Sequence, residues 1–175
     1  MKNFLTGSVL LLACFFSDAA PASLEKNMLS FGVGIGVAAS QGDGVETGGV
    51  ALSGEYDRQL EQYSLSVGVV GVALVDALMG YYHAGVIVRR DWMLSNRWSI
   101  AGKLGLGFAY EELKDIFNIG ISSSDTSVAG LFGAGVFFAV TDHLRLGLNY
   151  DAQVSHLHDQ TLLFGGLTLG LSYNF

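Results

Sequence analysis

The sequence predicts an all-β fold, an eight-stranded antiparallel up-and-down transmembrane β-barrel, and three observations carry that prediction. The chain of 175 residues is 50% hydrophobic and only 14% charged, yet no run of about 18 apolar residues follows its first few dozen positions, so membrane-spanning helices are not expected. It holds 24 glycines and one proline, and glycine weakens a helix by about 1 kcal/mol per residue relative to alanine. These glycines follow no three-residue period, which excludes a collagen-like chain. Finally, eight segments alternate apolar with small or polar residues. Overall hydrophobicity without long apolar runs results when lipid-facing and interior positions alternate along strands.

The first element is a targeting segment. Lys2 supplies a positive start, residues 4–16 form an apolar stretch too short to span a bilayer, and Ala20-Pro21-Ala22 is an A-x-A cleavage site. Residues 1–22 are therefore expected to be removed as a signal peptide, leaving a barrel domain over 23–175. The competing readings are an uncleaved membrane anchor and a lipobox-like Leu11-Leu12-Ala13-Cys14, which would lipidate Cys14. Cys14 is the single cysteine, so the processed chain has neither a disulfide nor a thiolate site.

The strands follow in order, each assigned by period-two alternation. In 29–40, Leu29, Phe31, Val33, Ile35 and Val37 face lipid and Ser30, Gly32, Gly34 and Gly36 face inward. In 49–57, Val50, Leu52 and Tyr56 point out and Ser53, Glu55 and Asp57 in. The segment 63–72 turns Tyr63, Leu65, Val67 and Val69 outward, and 81–92 opposes Tyr82, Ala84, Val86 and Val88 to His83, Arg89 and Asp91. The cleanest is 97–110, with Trp98, Ile100, Leu104, Leu106, Phe108 and Tyr110 out and Arg97, Ser99, Lys103, Gly105 and Gly107 in. Then come 127–140, with Val128, Phe132, Val136, Phe138 and Val140 out, and 144–154, with Arg145, Gly147, Asn149, Asp151 and Gln153 in. The last, 163–175, sets Leu163, Leu167, Leu169, Leu171, Tyr173 and Phe175 against Thr168, Gly170, Ser172 and Asn174.

These lengths suit the roughly 9–11 residues that a tilted strand needs to cross a bilayer. Lipid offers no water to an open edge, so the sheet must close. Eight strands leave a lumen just wide enough for side chains. Connections at 58–62, 93–96 and 141–143 look short, whereas 41–47, 73–80, 111–126 and 155–161 look longer. That alternation matches short periplasmic turns and longer outer loops. Tyr56, Tyr63, Trp92, Trp98 and Phe175 fall at the short-turn end, and Tyr82, Phe108 and Tyr110 at the other, as two interfacial girdles.

A soluble β-sandwich or lipocalin-like barrel would also alternate, with the charged face turned to solvent. The C-terminus favours the membrane reading. Leu163, Leu167, Leu169, Leu171, Tyr173 and the terminal Phe175 resemble the signature by which outer-membrane barrels are recognised for insertion. The whole of 23–175 resembles the small OmpA/OmpX-type outer-membrane β-barrel superfamily. The resemblance implies a bacterial outer-membrane location. It also implies contact with lipopolysaccharide and outer-membrane lipids, passage through the barrel-insertion machinery, and a monomer.

The formal net charge of −7 argues against nucleic acid, which calls for a basic patch. The inward charges have both signs: Glu55, Asp57, Asp91 and Asp151 against Arg89, Lys103 and Arg145. Isolated charges in a narrow lumen are costly, so these are expected to pair into a plug that leaves little conductance. His156-Leu157-His158-Asp159 offers metal-ligand or general-base chemistry, but no third ligand at a suitable spacing accompanies it. Comparison with the eight-stranded lipid A deacylases fails at the chemistry: no serine stands two residues after His156, and no glutamate follows Glu112. Leu131, Phe137, Ile87 and Phe164 point inward, as an acyl pocket or as a packed layer. Gly42-Asp43-Gly44 is turn chemistry, with too few carboxylates for calcium.

No catalytic, cofactor-binding or metal residue is assigned. The expected function is non-enzymatic, with a structural, adhesive or surface-interaction role through the outer loops, above all 111–126. An OmpW-type channel for small solutes or hydrophobic compounds is the first alternative and a lipid A-modifying enzyme the second. Mass spectrometry of the exported protein is expected to find an unlipidated chain beginning at Ser23. A lipid-bearing chain beginning at Cys14 would reverse the targeting assignment.

Overall fold

The computed structural model describes residues 27–41, 46–60, 65–76, 79–113, 123–157 and 160–175. The signal segment, Gly42-Asp43-Gly44, Tyr63, His158 and Asp159 lie outside the described residues. The strands are β1 Asn27–Gln41, β2 Glu46–Leu60, β3 Leu65–Val75, β4 Met79–Met93, β5 Trp98–Leu113, β6 Ser123–Ala139, β7 Leu144–Leu157 and β8 Gln160–Asn174. Each pairs antiparallel with its neighbours in chain order, and β8 returns to β1, so the sheet closes as a barrel of eight strands.

Closure is continuous from end to end. β1 and β8 are in register from Met28 opposite Asn174 to Gln41 opposite Thr161. At the end bearing the termini, the Asn27 and Phe175 amides donate to each other's carbonyls at 2.9 Å. The Asn27 side-chain amide donates a further bond to Phe175 O at 3.2 Å, and the Tyr56 hydroxyl donates to Asn27 Oδ1 at 3.1 Å.

The period-two pattern places the faces as expected except at Arg97, read as inward, which is exposed in the turn before β5 begins at Trp98. Phe31, Ile35, Leu106, Phe108 and Leu169 are exposed, while Glu55, Asp57, Arg89, Lys103 and Asp151 are buried. This arrangement inverts that of a soluble protein and removes the sandwich alternative, in which these charges would face water. Aromatic contacts mark both rims. Trp98 lies against Phe138 at 5.0 Å and Tyr173 stacks on Phe175 at 6.0 Å at the end bearing the termini. Tyr82 meets Tyr110 at 6.1 Å at the other end.

Two of the connections expected to be long are tight. Between β3 and β4 only residues 76–78 lie outside the strands, and between β7 and β8 only 158–159. Asp76 closes the first of these: its Oδ1 accepts the Met79 N–H at 2.6 Å, and its own N–H donates to Met79 O at 3.1 Å. The 111–126 connection shrinks to 114–122 because β5 and β6 extend into it, yet it remains the longest. At the opposite end, Ser95 Oγ accepts the Arg97 and Trp98 amides at 3.3 and 3.1 Å. Thr141 Oγ1 accepts those of His143 and Leu144 at 3.3 and 3.0 Å. Hydroxyl side chains that mimic backbone turn bonds in this way explain the compact hairpins.

The narrow interior explains many of the glycines. Inward-facing Gly32, Gly170 and Gly147 are mutual register partners across β1, β8 and β7, as are Gly85 and Gly107 across β4 and β5. A Cβ at Gly34 would collide with the Leu167 carbonyl oxygen, whereas one at lipid-facing Gly130 would meet nothing within 4 Å. Gly34→Val should therefore lower unfolding stability by at least ~1–3 kcal/mol through overpacking against backbone. Gly130→Ala should stay within about 0.5 kcal/mol of the parent. Urea unfolding of the refolded barrel, read by gel mobility of unheated samples, checks both.

Candidate functional site

The lumen is built in two layers, set by which residue types fall at the inward parity of each strand. Toward the end bearing the termini, β2, β4, β5 and β7 contribute the charges. Arg89 Nη1 donates to Glu55 Oε1 at 2.7 Å, and Arg89 Nε and Nη2 donate to the two oxygens of Asp91, each at 3.0 Å. Lys103 Nζ bridges Glu55 Oε2 at 2.7 Å and Asp151 Oδ1 at 2.9 Å. Arg145 Nη1 reaches Asp91 Oδ1 at 3.8 Å. Asp57 joins the network beside Glu55, with Arg89 Nη1 3.6 Å from its Oδ2. All seven charges expected to pair inside the barrel are thus brought together.

This network fills the lumen at mid-height. The Arg89 guanidinium also lies over the Phe137 ring, 4.6 Å from its centre, and Phe137 packs into the space left by Gly135 and Gly147. Phe137 therefore belongs to the charged end. The four apolar residues expected to share one layer divide: Ile87, Leu131 and Phe164 join an apolar cluster with Leu74, Tyr81 and Leu162 toward the outer end, and Phe137 does not.

That outer layer holds polar groups that sequence parity alone does not connect. Tyr81 stacks on Phe164 at 5.5 Å across the lumen, and Phe164 is the cross-strand partner of Gln153. Ser155 follows two residues along β7, and His83 follows Tyr81 on β4. All four polar side chains are at most 3% exposed. Both ring nitrogens of His83 and both amide atoms of Gln153 have no hydrogen-bond partner among the described residues, while the Tyr81 and Ser155 hydroxyls lie within reach of each other. Each such atom costs about 1–3 kcal/mol when left unsatisfied. Glu111, read from the sequence as a loop residue, is likewise buried at an inward position of β5, opposite Tyr81.

His156 is exposed on the outer parity of β7, and His158 and Asp159 lie outside the described residues. Among the described residues, no group of three or more histidine, cysteine or acidic side chains is arranged to hold a metal. Instead the outer end is acidic in sequence. Its connections and adjoining strand ends carry Asp43, Glu46, Asp76, Glu111, Glu112, Asp115, Asp125 and Asp159, against Lys114 as the only lysine or arginine.

The profile of the outer membrane protein beta-barrel domain matches residues 8–175. No curated protein matches the chain. Among solved structures, Neisserial surface protein A superposes with a TM-score of 0.74 at 15% identity, covering 88% of this chain and 100% of that one. Ail, the attachment invasion locus protein of Yersinia pestis, gives 0.56 at 17%, covering 86% and 100%, and has also been solved with the heparin analogue sucrose octasulfate. OprG of Pseudomonas aeruginosa gives 0.52 at 12%, covering 87% and 98%. At these identities the likeness is one of fold.

Removing Arg89 would take the cation from Asp57 and leave Glu55 to Lys103 and Asp91 to the more distant Arg145. Arg89→Leu is expected to cost about 3–5 kcal/mol, as when one partner of a buried ion pair is deleted, and to lower the urea midpoint of the refolded barrel accordingly. Arg58→Leu, at an exposed position of β2, should change it by less than about 1 kcal/mol.

Proposed function

The chain belongs to the outer membrane protein β-barrel domain family, and on that premise we propose that it is a non-enzymatic surface protein whose acidic outer rim contacts external partners. Family membership implies a bacterial outer-membrane location. The observation that carries the reading is the Glu55–Arg89–Lys103–Asp151 network. It occupies the lumen and supports a closed barrel, which leaves the rim as the working surface. A rigid scaffold that presents variable connections at one end suits recognition.

The rim's chemistry narrows the partner. Apart from the buried Glu111, seven acidic residues against one lysine favour a cationic surface and disfavour a sulfated polysaccharide through like-charge repulsion. In this respect the chain would differ from Ail, despite the attachment role that Ail's name carries. We further propose a monomer, ringed by outer-membrane lipids and lipopolysaccharide and inserted by the barrel-insertion machinery.

A small-solute or hydrophobic-compound channel is the second reading, favoured by the apolar outer half of the lumen. Lipid A modification has only His156 among the described residues to support it.

Binding of non-adherent bacteria expressing the protein, measured on immobilised polylysine and on immobilised heparin, tests the proposal. Expression should raise attachment to the cationic surface, with loss of the gain when Glu112 and Asp125 are both changed to Asn or Gln. No gain on any surface would overturn it. In planar bilayers the purified protein should show little or no steady conductance; a steady open channel would favour the second reading. The lipid A mass spectrum should be the same with and without the protein. An acyl-chain change abolished by His156→Ala or His158→Ala would make it an enzyme.

A further inference from the structure

The wall that β2, β3 and β4 turn toward the bilayer contains a trough. Phe31 stands opposite Gly54, Gly54 opposite Gly71, Gly71 opposite Ala84 and Ala84 opposite Phe108, all at lipid-facing positions. A floor of small residues three strands wide therefore lies between two phenylalanine rings that are 63% and 65% exposed. Along the strands it opens into two adjoining hollows of about 570 and 290 Å³, which share Gly54 and Gly71. The larger reaches Leu29, Tyr56 and Val69 toward the end bearing the termini, and the smaller reaches Leu52, Ala73 and Tyr82.

Crowding does not impose these glycines. A Cβ at Gly54 would meet nothing nearer than the Phe31 ring at 3.8 Å, and one at Gly71 nothing nearer than the His83 carbonyl oxygen at 3.9 Å. Glycine weakens a strand, and it often marks a place that a ligand approaches closely. At this depth the surroundings are hydrocarbon, so whatever fills the trough has an apolar body.

Charge defines the other end of the occupant. Arg58 follows Tyr56 at the next lipid-facing position of β2 and is exposed. It stands four residues from Gly54, about 13 Å along an extended strand. An arginine at the bilayer edge extends its guanidinium to the headgroup level while its stem lies along apolar surface. The described arginines and lysines outside the lumen, Arg58, Arg90 and Arg97, all lie toward this end, whereas the opposite rim is acidic. A guanidinium at the headgroup level with an apolar trough rising from it complements a phosphate ester that bears acyl chains.

We propose that this face holds an anionic phospholipid of the leaflet at the end bearing the termini, its phosphate on Arg58 and an acyl chain over Gly54, Gly71 and Ala84. A zwitterionic phospholipid carries its own ammonium beside the phosphate and gains less from Arg58. A second copy packed on this face by two-fold symmetry would bring another Arg58 to the same level. The proposal rests on the membrane placement of the barrel and is independent of what the acidic rim contacts.

Lipid-selective fluorescence quenching tests it. The chain has two tryptophans, so Trp92→Phe, Trp98→Phe and Phe31→Trp together leave one, at the border of the trough. The barrel is reconstituted in vesicles of phosphatidylglycerol and phosphatidylcholine, with one lipid or the other brominated on its acyl chains. Brominated phosphatidylglycerol is expected to quench as if enriched about fivefold over its share of the vesicle, the ratio that one basic residue near a lipid surface produces. Arg58→Leu should remove the enrichment, and Gly71→Leu, which fills the trough, should lower it. Both should keep the gel mobility and urea midpoint of the parent. Arg97→Leu, which removes an exposed cation away from the trough, should leave the enrichment as it is. Equal quenching by the two lipids would keep the barrel in the bilayer and overturn the proposal. An enrichment that Arg58→Leu and Arg97→Leu reduce alike would be a diffuse charge effect and overturn it too. So would weak quenching by either lipid that falls further as the protein-to-lipid ratio rises, which would put a second copy on this face. No quenching by either lipid at any ratio would overturn the membrane placement and the proposal with it.

Discussion

In hydrocarbon an unpaired backbone amide has no water to turn to, and each one left open costs several kcal/mol. The seam between β1 and β8 meets that constraint, and the other features depend on it. Because the sheet must close with eight strands, its diameter is fixed at a width that side chains can fill. Because the diameter is small, inward positions crowd one another. Glycines then stand opposite glycines across β1, β8 and β7, and Gly34 admits no side chain beneath the Leu167 carbonyl.

The same narrowness governs the lumen's chemistry. A charge placed inside cannot be solvated and must find a partner within reach. Arg89 satisfies this by contacting three acids and an aromatic ring at once, and Lys103 by joining β2 to β7. These contacts span non-adjacent strands, which the backbone ladder alone does not hold together, so the network braces the cross-section at mid-height. Above it the barrel changes material, from ion pairs to a largely apolar layer that also holds Tyr81, His83, Gln153, Ser155 and Glu111.

Much of this was legible in the sequence. Period two assigned a face to each residue of the strands, and because the lumen is small, inward parity alone placed Glu55, Asp57, Arg89, Asp91, Lys103, Arg145 and Asp151 in mutual reach. Hairpin extent was less legible. Ala73, Leu74 and Val75 break the apolar–polar alternation because the inward layer at that height is itself apolar, so Leu74 inside and Val75 outside look alike. The convergence of Tyr81 and His83 with Gln153 and Ser155 was hidden for another reason. Parity says that each points inward, but β4 and β7 are separated by two strands, and their relative height depends on the stagger of the closed sheet. The same blindness to height grouped Phe137 with Leu131, Ile87 and Phe164, which pack at the other end.

The seam has a consequence for what counts as the beginning of this molecule. With the Asn27 and Phe175 backbones exchanging hydrogen bonds at 2.9 Å, the chain is geometrically a ring that happens to be cut there. β1 finds its last partner only when β8 has been made, across more than a hundred intervening residues, so the contact of greatest sequence separation completes the fold. Joining the two ends with a short linker and opening the chain within 114–122 would leave each strand its present neighbours and turn that slowest pairing into a local hairpin. The order of synthesis is thus a property of the gene, while the order of strands around the barrel has no first member.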